Sequence, residues 1–125
     1  MTERSATEAD VRDWMAGYIA AWEGNDPDRI RALFAPDAEY RTEPWTDPWQ
    51  GHEEIVAGWL ERSDQAGDFT FTWDVAGIDG DRAFVQGRTV YRDGRTYRNL
   101  WVIDLAPDGR ARGYTEWWMD ESSPS

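Results

Sequence analysis

Residues 69–119, FTFTWDVAGIDGDRAFVQGRTVYRDGRTYRNLWVIDLAPDGRARGYTEWWM, decide the fold. Four runs rich in β-branched and aromatic residues, FTFTWDVAGI, RAFVQGRTVY, TYRNLWVIDL and RARGYTEWWM, are separated by three segments that each contain Asp-Gly. Asp-Gly supplies the backbone freedom of a tight hairpin turn, so the runs predict four strands in an antiparallel meander. Alternation along the last strand puts Tyr114, Glu116 and Trp118 on one face, opposite Thr115, Trp117 and Met119. On the strand before it, Tyr97, Asn99, Trp101 and Ile103 share a face opposite Leu100 and Val102. Both faces are partly apolar, which suits a sheet with a pocket on one side and a partner on the other.

Upstream, the period changes from two to that of a helix. Ser5 with Glu8 fits a capping box, and Val11, Trp14, Met15, Tyr18 and Trp22 recur at helical spacing until EGND. Asp26 caps a second, short helix with Pro27 at its first position, Ile30, Leu33 and Phe34 as its buried stripe, and Pro36 as its end. AEYRT is a short strand. A third helix starts near residue 51, with Ile55, Val56, Trp59 and Leu60 on one side, and fades at DQAGD. Helices followed by strands predict an α+β domain and not a parallel βαβ fold. One domain over residues 7–120 is expected, with flexible ends at 1–6 and 121–125.

Composition narrows the chemistry. With 25 acidic and 13 basic residues the net charge is −12, a poor match to nucleic-acid phosphates. Every base is Arg, so Schiff-base lysine chemistry is excluded, and the absence of Cys removes disulfides, thiolate catalysis and cysteine zinc sites. His52 is the lone histidine, and no loop has EF-hand spacing, so no metal and no cofactor are expected. No apolar run has the length of a membrane span, and no leader is evident; a cytoplasmic protein without membrane contact is expected. Nine Trp in 125 residues exceed what such a core needs, and Trp favours sites where one edge stays wet. The excess points to a cavity or an interface.

Order and wording together resemble the SnoaL-like branch of the nuclear transport factor 2-like (NTF2-like) superfamily. The pieces that carry this are YIAAWEGNDPDRIRALFAPDAEYR, GHEEIVAGWL, YRNLWVIDLAPDGR and TEWWM. The resemblance implies a cone of helices packed in a curved antiparallel sheet, an apolar pocket at its open end, and a homodimer formed through the outer sheet face. The superfamily includes isomerases, polyketide cyclases, epoxide hydrolases and members without catalysis, so the fold does not choose among them.

Against the ketosteroid isomerase pattern, Glu43-Pro44 falls where that family carries its Asp-Pro base, and Tyr18 where it carries its oxyanion-holding tyrosine. A carboxylate facing an aromatic pocket has its pKa raised by desolvation and so accepts protons near neutrality; a buried phenol stabilises a developing enolate. Both residues also have plain readings, Glu43 as a loop acid and Tyr18 as part of a core stripe with Trp14 and Trp22. The isomerase's second oxyanion donor, an acid, is replaced by Trp101, which implies a wall for a flat ligand. TEWWM also resembles the last-strand motif of limonene-type epoxide hydrolases, with Glu116 on the catalytic carboxylate. Arg88 matches their arginine, while Val90 stands where a second Asp is expected; Arg88 is equally a salt-bridge partner for Glu116.

Asn99 can orient a ligand or a carboxylate. His52, at a helix start where the dipole disfavours its cation, can accept a proton or lie in solvent. Asp47-Pro48 is a second acid–proline step without a comparable match. Trp45, Trp49, Trp59, Trp101 and Trp118 are the expected walls. These residues predict a small-molecule enzyme doing cofactor-free acid–base chemistry of isomerase or cyclase type. The substrate would be apolar or aromatic, polyketide- or steroid-like, and epoxide hydrolysis is an alternative chemistry. A non-catalytic ligand-binding module and a protein-interaction domain are the rival uses of the same fold.

Overall fold

Thr7 opens the first helix, α1 (Glu8–Gly24), in the computed structural model, which describes residues 6–62 and 67–121. Its hydroxyl accepts from the Asp10 N–H at 3.1 Å, and the Asp10 carboxylate accepts from the Thr7 N–H at 3.0 Å. This capping box replaces the expected Ser5–Glu8 pair; Ser5 lies outside the described residues. A cap contributes about 1 kcal/mol, whereas each fully buried large apolar side chain contributes about 1.5–3 kcal/mol. Val11 and Met15, wholly buried on one face, therefore hold α1 more firmly than its cap does. Asn25, at φ 54°, ends α1 by donating to the Ala21 carbonyl at 2.7 Å.

Asp26 caps α2 (Pro27–Leu33) by accepting from the Asp28 N–H at 2.9 Å. The Trp14 indole N–H donates to the Leu33 carbonyl at 2.9 Å and pins α2 to α1. Pro36 does not end this helix. The chain leaves α2 after Leu33, and Pro36 sits exposed inside β1 (Phe34–Arg41). Proline cannot donate to a ladder, and the β1 register is irregular between Phe34 and Glu39, the segment that contains it.

A two-residue β2 (Trp49–Gln50), unexpected from the sequence, pairs antiparallel with β1 and leads into α3 (Gly51–Glu61). Ile55, Val56 and Trp59 are buried as anticipated, but Leu60 turns out to solvent. Of DQAGD, residues 64–66 lie outside the described residues. The meander then follows as β3 (Phe69–Asp79), β4 (Arg82–Tyr91), β5 (Thr96–Leu105) and β6 (Ala111–Asp120), each strand antiparallel to the next. Gly80 and Gly94 take φ of 63° and 98° in the first two turns, the conformation Asp-Gly was expected to supply.

The six strands form one curved, open sheet in the order β2-β1-β6-β5-β4-β3. The fold is α+β as expected, with one pairing outside the antiparallel pattern: β1 runs parallel to β6. The buried side chains of α1, α2 and α3 form one apolar cluster with the inward residues of β1, β4, β5 and β6. Of the segments expected to be flexible, residues 1–5 and 122–125 lie outside the described residues. Ala6 donates to the Gly80 carbonyl at 2.9 Å, and Glu121 donates its N–H to Thr96 at 2.9 Å. No helix among the described residues is long and apolar enough to cross a membrane.

Candidate functional site

Alternation along β4, β5 and β6 sends Thr89, Asn99, Trp101, Glu116 and Trp118 to the concave side of the sheet. They meet Tyr18 and Trp22 from α1, Tyr40 from β1 and Trp59 from α3 around a cavity of about 420 Å³. A second hollow, of about 550 Å³, lies between the first two helices and the 107–110 turn. It is larger but carries several exposed charges, Asp13, Arg29 and Asp108 among them, and no buried titratable group. The aromatic cavity is therefore the candidate site.

Glu116 forms its centre. Trp101 lies directly opposite it across the β5–β6 ladder, and the Trp101 indole N–H donates to Glu116 Oε2 at 3.2 Å. Asn99, one inward position further along β5, donates from Nδ2 to the same oxygen at 2.6 Å. The Asn99 Oδ1 in turn accepts from the Thr89 hydroxyl at 2.8 Å. One directly opposite contact and two diagonal ones are within the reach of cross-strand neighbours. Every donor is neutral, and among the described residues no cation pairs with this carboxyl. Burial pushes the Glu116 pKa above the usual carboxylate range; the Trp101 and Asn99 bonds partly offset this, and the nearby Glu43 charge adds to it.

Three phenols stand beside the carboxyl. The Tyr18 and Tyr40 hydroxyls are 2.8 Å apart, so one donates to the other and the second keeps its proton for another acceptor. Tyr114 stacks on Tyr40 at 4.3 Å, and its own hydroxyl is buried beside the other two. Burial raises the pKa of Tyr18 and Tyr40; the Tyr40 and Glu116 charges act the same way on Tyr18, and Glu116 does so on Tyr40. Both therefore stay protonated donors at neutral pH. Tyr18 also packs on Trp101 at 4.6 Å and Trp59 at 4.9 Å. Core stripe and cavity wall are here the same surface.

The structure sorts the sequence candidates. Glu43, Tyr18, Glu116, Trp49, Trp59, Asn99, Trp101 and Trp118 all line the cavity. Glu43 is half-buried at its lip, accepting from the Thr42 hydroxyl at 3.0 Å. Trp49 stacks on Tyr40 at 4.9 Å. Four candidates are elsewhere. Trp45 is 79% exposed because the 42–48 loop turns it to solvent. His52 Nε2 lies 2.7 Å from the Phe34 carbonyl, which ties it down as a link between α3 and β1. Arg88 is on the outer sheet face, where it forms a bidentate pair with Glu121 at 2.8 and 3.4 Å; it does not partner Glu116. Asp47 is exposed and does not border the cavity.

Trp22, Tyr40 and Thr89 were not anticipated as lining residues. The signal for Tyr40 was present, since Ala38 and Tyr40 alternate with Glu39 and Arg41. Among the described residues no group of three or more His, Cys, Asp or Glu is placed to hold a metal ion.

A curved, open sheet wrapped on helices, with a carboxyl in the wall of an aromatic cavity, is the architecture of a cone-type α+β fold. The model of the SnoaL-like domain family matches residues 15–114, and the chain belongs to that family. Comparison with curated proteins finds no match. Solved structures agree on the fold. An NTF-2 like protein of unknown function from Burkholderia xenovorans LB400 has a TM-score of 0.73 at 15% identity, covering 94% of this chain and 89% of its own. A Kribbella flavida DSM 17836 protein, provisionally described as a ketosteroid isomerase, scores 0.71 at 19% identity, covering 94% and 83%. SalBIII, an epoxide hydrolase/cyclase-like enzyme of pyran ring formation in the polyether salinomycin, scores 0.71 at 17% identity, covering 90% and 92%.

Proposed function

We propose that this protein is an isomerase- or cyclase-type enzyme that moves a proton on an apolar carbonyl compound, polyketide- or steroid-like in character. One observation carries the reading: the Glu116 carboxyl sits in the wall of an aromatic cavity, its hydrogen-bond donors among the described residues are neutral, and burial raises its pKa. A carboxyl held for structure alone is normally given a cation; one tuned to exchange protons is not. This moves the role of base from Glu43, where the family pattern puts it, to Glu116. Glu43 then acts on Glu116 through its charge.

In the proposed reaction the Glu116 carboxylate takes a proton from the carbon beside the ligand carbonyl. The electron pair left behind delocalises onto the carbonyl oxygen, which receives a hydrogen bond from the Tyr18–Tyr40 pair. Isomerisation ends when Glu116 returns the proton to a different carbon. Cyclisation ends when the enolate carbon attacks a second carbonyl of the same molecule and the new alkoxide takes the proton. Protons and electrons balance in both without a redox partner. Epoxide hydrolysis has less support, because Arg88 is on the opposite face of the sheet.

Deuterium uptake by cyclic β,γ-unsaturated ketones and 1,3-diketones, followed by NMR in heavy water, tests the proposal. Glu116→Gln is expected to lower the exchange rate by ~10²–10⁴ and Tyr18→Phe by ~10²–10³. Exchange by Glu116→Gln at the unaltered rate sinks the proposal. Tight ligand binding with no exchange supports the binding-module reading. A second copy of the chain is the proposed partner, docked on the outer sheet face, where Trp117 and Met119 are 52% and 69% exposed.

A further inference from the structure

The cavity has two electrically different ends. Its inner wall carries Glu116 and the phenols; Arg62, just beyond the end of α3, borders it as a cation. In a chain of net charge −12, most arginines of the described residues are matched to carboxylates, as Arg82 is to Asp104 and Arg110 to Asp108. Arg62 makes no such pair among the described residues. Its guanidinium lies over the Trp49 ring, 5.6 Å from the centroid, and Trp49 is itself cavity wall. This contact holds the guanidinium beside the cavity wall, no hydrogen bond engages its N–H edge among the described residues, and such an edge fits a carboxylate with two parallel hydrogen bonds. Arg95 also borders the cavity, but it is already bound to Asp93 at 2.8 Å.

We propose that Arg62 binds an anionic group of the ligand, a carboxylate above all, while the ligand's flat body fills the aromatic cavity and its reacting end reaches Glu116. The inference rests on the small-molecule reading of the cavity and adds the substrate class: an aromatic or polycyclic acid. It also accounts for how an acidic protein admits an acidic ligand. General repulsion slows approach, and a local cation beside an aromatic wall restores attraction where it is needed.

The test compares 2-naphthoate with its neutral isostere 2-naphthamide by isothermal titration calorimetry at neutral pH. On the unaltered protein the acid is expected to bind about two- to fivefold more tightly than the amide, an advantage that shrinks as salt is raised. Arg62→Gln should remove the difference, and circular dichroism with urea unfolding checks that the variant is folded. Arg62→Lys should keep part of it, and Arg92→Gln, an equal loss of charge away from the cavity, should keep all of it. Equal binding of acid and amide by the unaltered protein overturns this inference and leaves the cavity reading intact. A preference that survives Arg62→Gln overturns it too. Failure of both probes to bind removes the cavity reading and this inference with it. Deuterium exchange plays no part in the measurement, so a catalytic failure is read separately.

Discussion

Glu116→Gln separates the charge of the buried carboxyl from its shape. Both donors at this site, Asn99 Nδ2 and Trp101 Nε1, converge on one oxygen, Oε2. A glutamine carbonyl oxygen in that place accepts both bonds, and its amide nitrogen takes the position of Oε1. The substitution therefore keeps the hydrogen bonds and removes only ionisation. The carboxyl's folded pKa is raised above its unfolded value, near ~4.3, so the folded state binds the proton more tightly than the unfolded one. The resulting stability is fully present below the unfolded pKa and is lost as pH rises through the folded pKa. Each unit of elevation corresponds to about 1.4 kcal/mol. With 25 acids in the chain, the pH profile of the unaltered protein mixes many groups, and subtracting the variant isolates this one. Urea unfolding followed by tryptophan fluorescence from pH 4 to 8 should show the variant gaining on the unaltered protein as pH rises, then running parallel above the folded pKa. The gain, divided by 1.4 kcal/mol, gives the elevation in pH units, which carboxyl NMR must match. A pH-independent difference, or a variant that loses ground as pH rises, refutes the assignment of Glu116 as a carboxyl with a raised pKa.

Other outcomes follow from the same geometry. In Glu43→Gln the Glu116 pKa should fall, since the Glu43 charge helps to raise it; carboxyl NMR reads the shift, and no change refutes the coupling. Gly58→Ala would put a Cβ 2.4 Å from the Trp49 ring, so the indole must leave its stack on Tyr40; a loss of about 1–3 kcal/mol in urea unfolding and weaker naphthamide binding are expected. Thr89→Val leaves the Asn99 Oδ1 without its donor and should cost about 1–3 kcal/mol, measured in the same way. In the proposed dimer, Trp117→Glu on the outer face should shift the mass by light scattering to that of a monomer without altering naphthamide affinity, and an unaltered protein already monomeric refutes the dimer.

The fold was largely legible because its signals are local. Three Asp-Gly turns and the Asp26 cap of α2 need no knowledge of distant contacts, and alternation put Asn99 with Trp101 on one face of β5 and Glu116 with Trp118 on one face of β6. What failed depended on where a loop goes or which face a strand presents. Trp45 and Trp49 are four residues apart in one aromatic stretch, yet only Trp49 gains a neighbour to stack on, through β2, too short to be signalled by pattern. Arg88 was matched by motif, although alternation from the apolar Ala83 and Val85 already assigns Thr89 to the inner face and Arg88 to the outer one. Pro36 misled because a proline near a helix end is usually its stop, whereas Leu33 to Phe34 is where the backbone turns extended. The neutral character of the Glu116 shell could not be read beforehand, since it depends on the β4–β5–β6 register.

The convergence of Asn99 and Trp101 on a single oxygen of Glu116 has a stereochemical consequence. With Oε2 occupied, Oε1 is the atom left to carry a proton, and it lies on one wall of the cavity. A proton removed and returned through that one atom leaves and re-enters the ligand on the same side. An isomerisation at this site would then be suprafacial, and a ligand labelled with deuterium on one prochiral face would deliver its label to the matching face of the product.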